Sequence, residues 1–291
     1  MGLHCVDCAH GAICILQRNW RKLGLSMEYH IIDVFTDKLF GGNPAGVCLM
    51  DEWLPDMILQ NIAAENNLSE TAFLVKQSGY YDLRWFTPAM EIDLCGHATM
   101  ASAFVLFDEH ERDAKEIKFK TMSGILSVTR EGGLLYLDFP ATPAVECPAY
   151  PAFEQSFGIK PLATYKSIDF LVLLKSEETL QRISPVFSML RRLKEDAGLD
   201  HDRFGIIVTA RGTDCDFVSR YFAPNVGVDE DPVTGRAHCT LIPFWRERLK
   251  KKVLTAKQLS KRGGVIYCED CGPRVKIGGY AVRYLKGSIS L

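Results

Sequence analysis

At 291 residues, with 47% hydrophobic and 24% charged side chains, the chain has ordinary globular proportions and room for two modest domains. A formal net charge of −2, with one short basic run at Lys250-Lys251-Lys252, excludes a nucleic-acid footprint; that run suits the negative end of a helix. No apolar stretch approaches the roughly 20 residues that cross a bilayer. In the first 26 residues Arg18, Arg21 and Lys22 follow the apolar run 12–16, the reverse of secretory order, so the chain reads as cytoplasmic.

Residues 1–26 carry no period that fits the rest and read as a disordered N-terminal extension, with Met27 as the functional start. A strand is predicted over 29–35, then a turn at Gly41-Gly42-Asn43-Pro44 and a short apolar strand over 47–50. Residues 55–65 have helical spacing with Asp56 near the start. Strands follow over 71–75 and 81–86. Gly96 then opens a helix apolar on nearly all sides, which must be buried. A β-meander is predicted over 116–139, with turns at Ser123-Gly124 and Gly132-Gly133. The order then restarts: a strand over 170–174, a helix over 184–194, strands over 205–209 and 216–222, and an apolar helix from Gly235 to about Leu249. A closing meander holds 265–268, 275–277 and 281–285.

This is an internal repeat of about 136 residues: Arg84, Phe86 and Pro88 recur as Arg220, Phe222 and Pro224. Each copy continues into an acidic turn and a glycine-initiated buried helix. A shared tripeptide alone would be chance; the same order of elements twice is not.

The ten cysteines read as intracellular thiols. Cys5-x-x-Cys8 and Cys268-x-x-Cys271 have metal-like spacing, but a zinc site would need two distant segments to meet. The second pair is better explained as a hairpin turn, so no metal is expected.

Chemistry concentrates in four segments, around Asn43, Glu70, Gly96-His97 and Asp231-Gly235. Gly96 and Gly235 head matching helices, and first-turn N–H groups at two such ends can hold a carboxylate or stabilise enolate-like charge. A single loop of this kind would more simply be a tight helix entry; the matched pair favours function. Glu70 precedes a buried strand, where desolvation is expected to raise its pKa into the range of a general base. Taken alone it reads equally well as a surface turn residue. His238 is as readily a hydrogen-bonded core histidine as a ligand, and Phe244 and Trp245 read as core or lobe interface.

Gly42-Asn43-Pro44-Ala45, Ser69-Glu70-Thr71, Arg84-x-Phe86-Thr87-Pro88, Asp93-Leu94-Cys95-Gly96-His97-Ala98-Thr99 and Glu230-Asp231-Pro232-Val233-Thr234-Gly235 resemble, in order, the motifs of the phenazine-biosynthesis (PhzF-like) isomerase family. The resemblance implies an α+β, diaminopimelate-epimerase-like fold: two pseudo-symmetric lobes, each a curved, mostly antiparallel sheet around a central apolar helix. The lobes would span 27–125, with a strand at about 278–291 returning to the first, and 126–277. The active site would lie in the cleft between them.

It further implies a homodimer without metal or organic cofactor, acting on a small carboxylate metabolite. Glu70 becomes the acid/base group, with His97 and Asp231 as polar catalytic partners. Asn43, Gly96 and Gly235 become substrate contacts. One departure stands out. The family usually has serine after the second glycine, and this chain has Arg236. Arg236 is expected to contact a second acidic group on a different substrate, or to fold back onto Asp229 or Asp231. It also motivates a second reading, a member that binds a small acid or protein partner without turning it over. A two-thiol racemase is disfavoured, because the repeat counterpart of Cys95 is Thr234, too weak an acid or base near neutral pH.

Overall fold

The computed structural model describes residues 26–291. The expectation of a disordered leader and the Cys5-x-x-Cys8 pair therefore lie outside the described residues, save for Ser26, which begins the first strand.

Alternating and β-branched segments pair into one continuous mixed network of 18 strands. Two apolar helices stand at its centres, giving an α+β architecture. Helix Gly96–Val105 buries His97 to Ala103 and Val105. It packs against strands Asn43–Met50, Ser26–Val34, Leu134–Pro140, Thr71–Lys76, Ala281–Ser290 and Gly124–Glu131. Helix Gly235–Leu249 packs likewise against Val253–Gln258, Gly264–Asp270 and Arg274–Gly279. The first helix is buried on nearly every side, and the second from Gly235 to Trp245 save Arg236 and Pro243, so each needs a sheet that wraps it, and both halves supply one.

The two halves repeat at the level of register. Asn43–Met50 runs parallel to Thr71–Lys76, and Phe170–Leu173 runs parallel to Ile206–Arg211. Thr71–Lys76 then pairs antiparallel with Tyr81–Phe86, as Ile206–Arg211 does with Phe217–Ala223. Tyr81–Phe86 takes Glu116–Thr121 as a parallel neighbour; Phe217–Ala223 takes Val253–Gln258. The C-terminal strand Ala281–Ser290 pairs with Ser26–Val34, and its counterpart is Val145–Cys147 on Ala163–Lys166. Leu134–Pro140, which lies within 126–277 but packs on the first central helix, pairs with Arg274–Gly279, which packs on the second, and so links the two helix-centred units.

The recurring Arg-x-Phe motif now has a physical content. Arg84 forks onto both oxygens of Glu91 at 2.7 Å and lies over the Phe86 ring at 5.1 Å. Arg220 forks onto Glu230 at 2.7 and 2.9 Å and lies over Phe222 at 5.0 Å. A planar guanidinium satisfies carboxylate and ring together, which lysine would not. Each pair fixes the acidic turn that leads into its central helix.

Two local features differ from expectation. The helix expected over 184–194 starts late and is split into Phe187–Arg191 and Leu193–Asp196, because Pro185 disfavours helical backbone at Ser184; a separate short helix, Glu177–Arg182, precedes it. Pro243 lies inside helix Gly235–Leu249 without ending it. The carbonyl of Cys239, deprived of its usual donor, accepts from Thr142 N–H at 3.0 Å. Cys268 is buried on its strand while Cys271 is exposed in the turn that follows, both as free thiols.

Candidate active site

Glu70 stands immediately before strand Thr71–Lys76, after the left-handed Asn67 that ends the preceding helix. Its backbone carbonyl accepts from Gly46 N–H at 3.0 Å, so the carboxylate projects from a pinned position. His97, second residue of the first central helix, brings Nε2 to 3.2 Å from Glu70 Oε2, in a geometry short of an aligned hydrogen bond. Ser69 Oγ lies 3.4 Å from the same nitrogen, and Cys95 Sγ lies 3.5 Å from His97 Nδ1.

The second half contributes Asp231 across this pair. Asn43, from the first half, donates through Nδ2 to Asp231 Oδ1 and to the Val233 carbonyl, each at 2.9 Å. Thr234 Oγ1–H donates to Asp231 Oδ2, and Gln258 donates to the Asp231 carbonyl at 2.8 Å. Asn43 is fully buried, and its Oδ1 has no protein partner among the described residues.

Burial pushes the Glu70 carboxyl up, but the charge and contact of His97, with Ser69, outweigh it and hold the group below its ordinary value. The sequence-based expectation of a raised Glu70 is thereby corrected; an imidazole at 3.2 Å, unseen in the sequence, reverses the sign. Burial also opposes charge on His97, yet Cys95 and Glu70 raise it well above the usual histidine value. Asp231 is the raised carboxyl: burial dominates, His97, Thr234 and Asn43 offset it only in part, and it is pushed up to about 6. Charge thus resides on the Glu70–His97 pair, with a proton held more tightly on Asp231.

Gly96 and Gly235 head the two central helices. Neither N-cap residue, Cys95 nor Thr234, caps its helix with a side chain, so first-turn N–H groups are left for another acceptor. Gly235 is buried, yet a Cβ built on it would meet no atom within 4 Å outside its own helix turn. Open space therefore adjoins the second helix entry. Glu70, Cys95 and His97 place one donor atom each within 4.8 Å of one another. A cation there would need the Cys95 thiolate, and burial followed by the Glu70 charge pushes that thiol up, so the trio suits proton exchange better than a metal ion.

Arg236 folds back onto neither Asp229 nor Asp231. Its Nη2 donates at 2.6 Å to Oδ1 of Asp169, a residue that sequence reasoning missed. Asp169 is almost fully buried and also accepts from Gly205 N–H at 2.7 Å and Tyr221 Oη–H at 3.3 Å. It lies just before strand Phe170–Leu173, with no motif around it; only matching the two halves by strand register would have singled it out. His238 is a buried core histidine whose Nδ1 bonds the Thr234 carbonyl at 2.8 Å, and burial lowers it to about 4. Phe244 and Trp245 are buried, and Trp245 stacks on Phe217. None of the site residues lines either of two grooves elsewhere, of about 660 and 460 Å³. No helix among the described residues is long and apolar enough to cross a membrane.

This arrangement has close relatives. A family model described as phenazine biosynthesis-like protein matches residues 32–287. The chain is 48% identical over 268 residues to an uncharacterised isomerase of Pseudomonas aeruginosa, covering 92% of this chain and all of that one. It is 39% identical over 299 residues to the human phenazine biosynthesis-like domain-containing protein, covering 91% and 100%. A PhzF-family structure from Enterococcus faecalis superposes with a TM-score of 0.87 at 46% identity, over 92% of this chain and all of the other. A hydroxyproline epimerase from Agrobacterium vitis shares the fold alone, at TM-score 0.57 and 12% identity over 91% and 93%. Two register-matched halves, a carboxylate–imidazole pair where they meet and these relatives over nearly the whole described chain agree: the protein is an isomerase of the phenazine biosynthesis-like (PhzF) family.

Proposed function

We propose that the chain moves a proton between carbons of a small carboxylate-bearing metabolite, with Glu70 as the acid/base group working on one face. Glu70, held below its ordinary value, meets the substrate already ionised at neutral pH and takes the proton. The His97 imidazolium, 3.2 Å away, and the first-turn N–H groups at Gly96 and Gly235 offset the enolate-like charge that develops. Glu70 then returns the proton to another carbon. Asp231, anchored by Asn43 and Thr234, is the second proton-holding group in the cleft.

One observation carries the one-face reading. Register places Glu70 opposite Gly205 in the second half: Gly46↔Thr71 corresponds to Phe170↔Ile206, and Thr71↔Phe86 to Ile206↔Phe222. A Cβ at Gly205 would lie 2.0 Å from Tyr221 Oη, so the space a second base would need is taken by a phenol that burial pushes far above neutral. The counterpart of Cys95 is Thr234, whose hydroxyl is spent on Asp231. A symmetric two-base racemase thus lacks a base at the counterparts of both Glu70 and Cys95.

Incubation with small carboxylates bearing acidic C–H bonds in deuterated water tests this reading. Wild type should wash deuterium into at least one, and Glu70→Gln should slow that exchange by about 10²-fold or more. Undiminished exchange in that variant would remove Glu70 from the mechanism; no exchange by wild type would favour the binding-only reading that Arg236 motivates. The same proposal includes the cytoplasmic homodimer implied by the family motifs, testable by light scattering at twice the 32.6 kDa chain mass.

A further inference from the structure

We infer that Arg236, held in place by Asp169, is a receptor for a second anionic group on the substrate, so that the site takes a short dicarboxylate rather than a monocarboxylate. The inference rests on the cleft being the substrate site, and it assigns a substrate class to that site.

The two central helices begin alike, and their second residues, His97 and Arg236, occupy matching positions. Each meets a carboxylate from a neighbouring strand end: His97 meets Glu70 at 3.2 Å, and Arg236 meets Asp169 at 2.6 Å. The pairs differ in what they can do. An imidazole gains and loses a proton near neutral pH, whereas a guanidinium does not, so the second pair can bind and orient but not transfer.

Asp169 is spent on protein donors: 2% of its side chain is exposed, and it accepts from Gly205, Tyr221 and Arg236. Arg236 is not spent. Only Nη2 makes a hydrogen bond among the described residues, and 44% of the side chain is exposed. A guanidinium pinned through one nitrogen keeps a planar set of N–H donors in fixed orientation, which is what two-point capture of a carboxylate requires. The open space beside Gly235 lies one residue away along the chain. Asp231, the carboxylate that could compete for the guanidinium, is turned instead to Asn43 and Thr234. Asp169 acts as a positioning residue; Arg236 is the one that touches ligand.

Calorimetric titration with succinate, glutarate and maleate, each against its monoamide, tests the assignment. Wild type should bind at least one dianion tighter than its monoamide by on the order of tenfold to a hundredfold. Arg236→Ser should abolish that preference by weakening dianion binding far more than monoamide binding, and Arg236→Lys should recover only part of it. The double variant Asp169→Asn/Arg236→Ser leaves no buried charge unpaired, so it provides the same comparison if the single variant folds poorly. A preference absent from wild type, or intact in Arg236→Ser, would overturn the inference. Glu70→Gln should keep the preference while losing exchange. Exchange without a dianion preference would therefore sink this inference alone, and the preference without exchange would sink only the proton-transfer reading.

Discussion

Three ionisable groups, Glu70, His97 and Asp231, lie within electrostatic reach of one another, and their proton affinities are set apart by local geometry. Glu70 and His97 favour charge in each other, whereas Asp231 is driven toward its neutral form by burial. Environments that push neighbouring groups in opposite directions mark acid and base roles. For Asp231 the consequence is measurable as stability. Its carboxyl moves from 3.8 to about 6 on folding, so below about pH 4 it is protonated in both states and costs nothing. Between about pH 4 and 6 the unfolded chain releases the proton first, and stability falls as pH rises. Asp231→Asn should therefore stabilise the fold at pH 7 by on the order of 2 kcal/mol, discounted for the partial solvent access of the site, and leave it unchanged at pH 4. Urea unfolding at the two pH values checks it; equal effects at both would show that the carboxyl is not strained by burial.

Among the elements, the matched strand–helix units differ at one strand end, which carries Glu70 in the first half and Gly205 in the second. Glycine at 205 lets the Tyr221 phenol close over the strand end and reach Asp169. Gly205→Ala would set a methyl 2.0 Å from the Tyr221 oxygen and 2.2 Å from its ring, neither of which can yield without breaking the Asp169 contact. The variant should lose about 1–3 kcal/mol in a urea melt; a change under about 0.5 kcal/mol would show that Tyr221 moves freely. The first half of this contrast was legible from sequence, because Glu70 sits in a motif and its strand is a continuous apolar run buried on both faces. The second half was not. Asp169, Gly205 and Tyr221 carry no motif, and their meeting depends on a parallel strand register that hydrophobic pattern does not encode. The helix expected over 184–194 failed for a local reason, the proline at 185.

Across the whole molecule, the repeat seen in Arg84-x-Phe86 and Arg220-x-Phe222 becomes two halves of one strand network, each wound around a central helix and joined at one strand pair. Both buried helices could be read from their apolar runs, whereas the α+β class followed from the resemblance of the motifs to the family. The sign of the Glu70 shift could not, because it depends on His97 arriving from 27 positions along the chain. The two helix entries are alike in their leading glycine and differ in the next residue, His97 in one and Arg236 in the other; under the proposed function the first serves proton transfer and the second is a fixed cation. A chain with base chemistry on one side only should exchange without inverting. The configuration of substrate recovered after partial exchange in deuterated water measures this directly. Deuterium entering a single position with retained configuration is the outcome this account predicts; deuterium accompanied by inversion would require a second base and would contradict it.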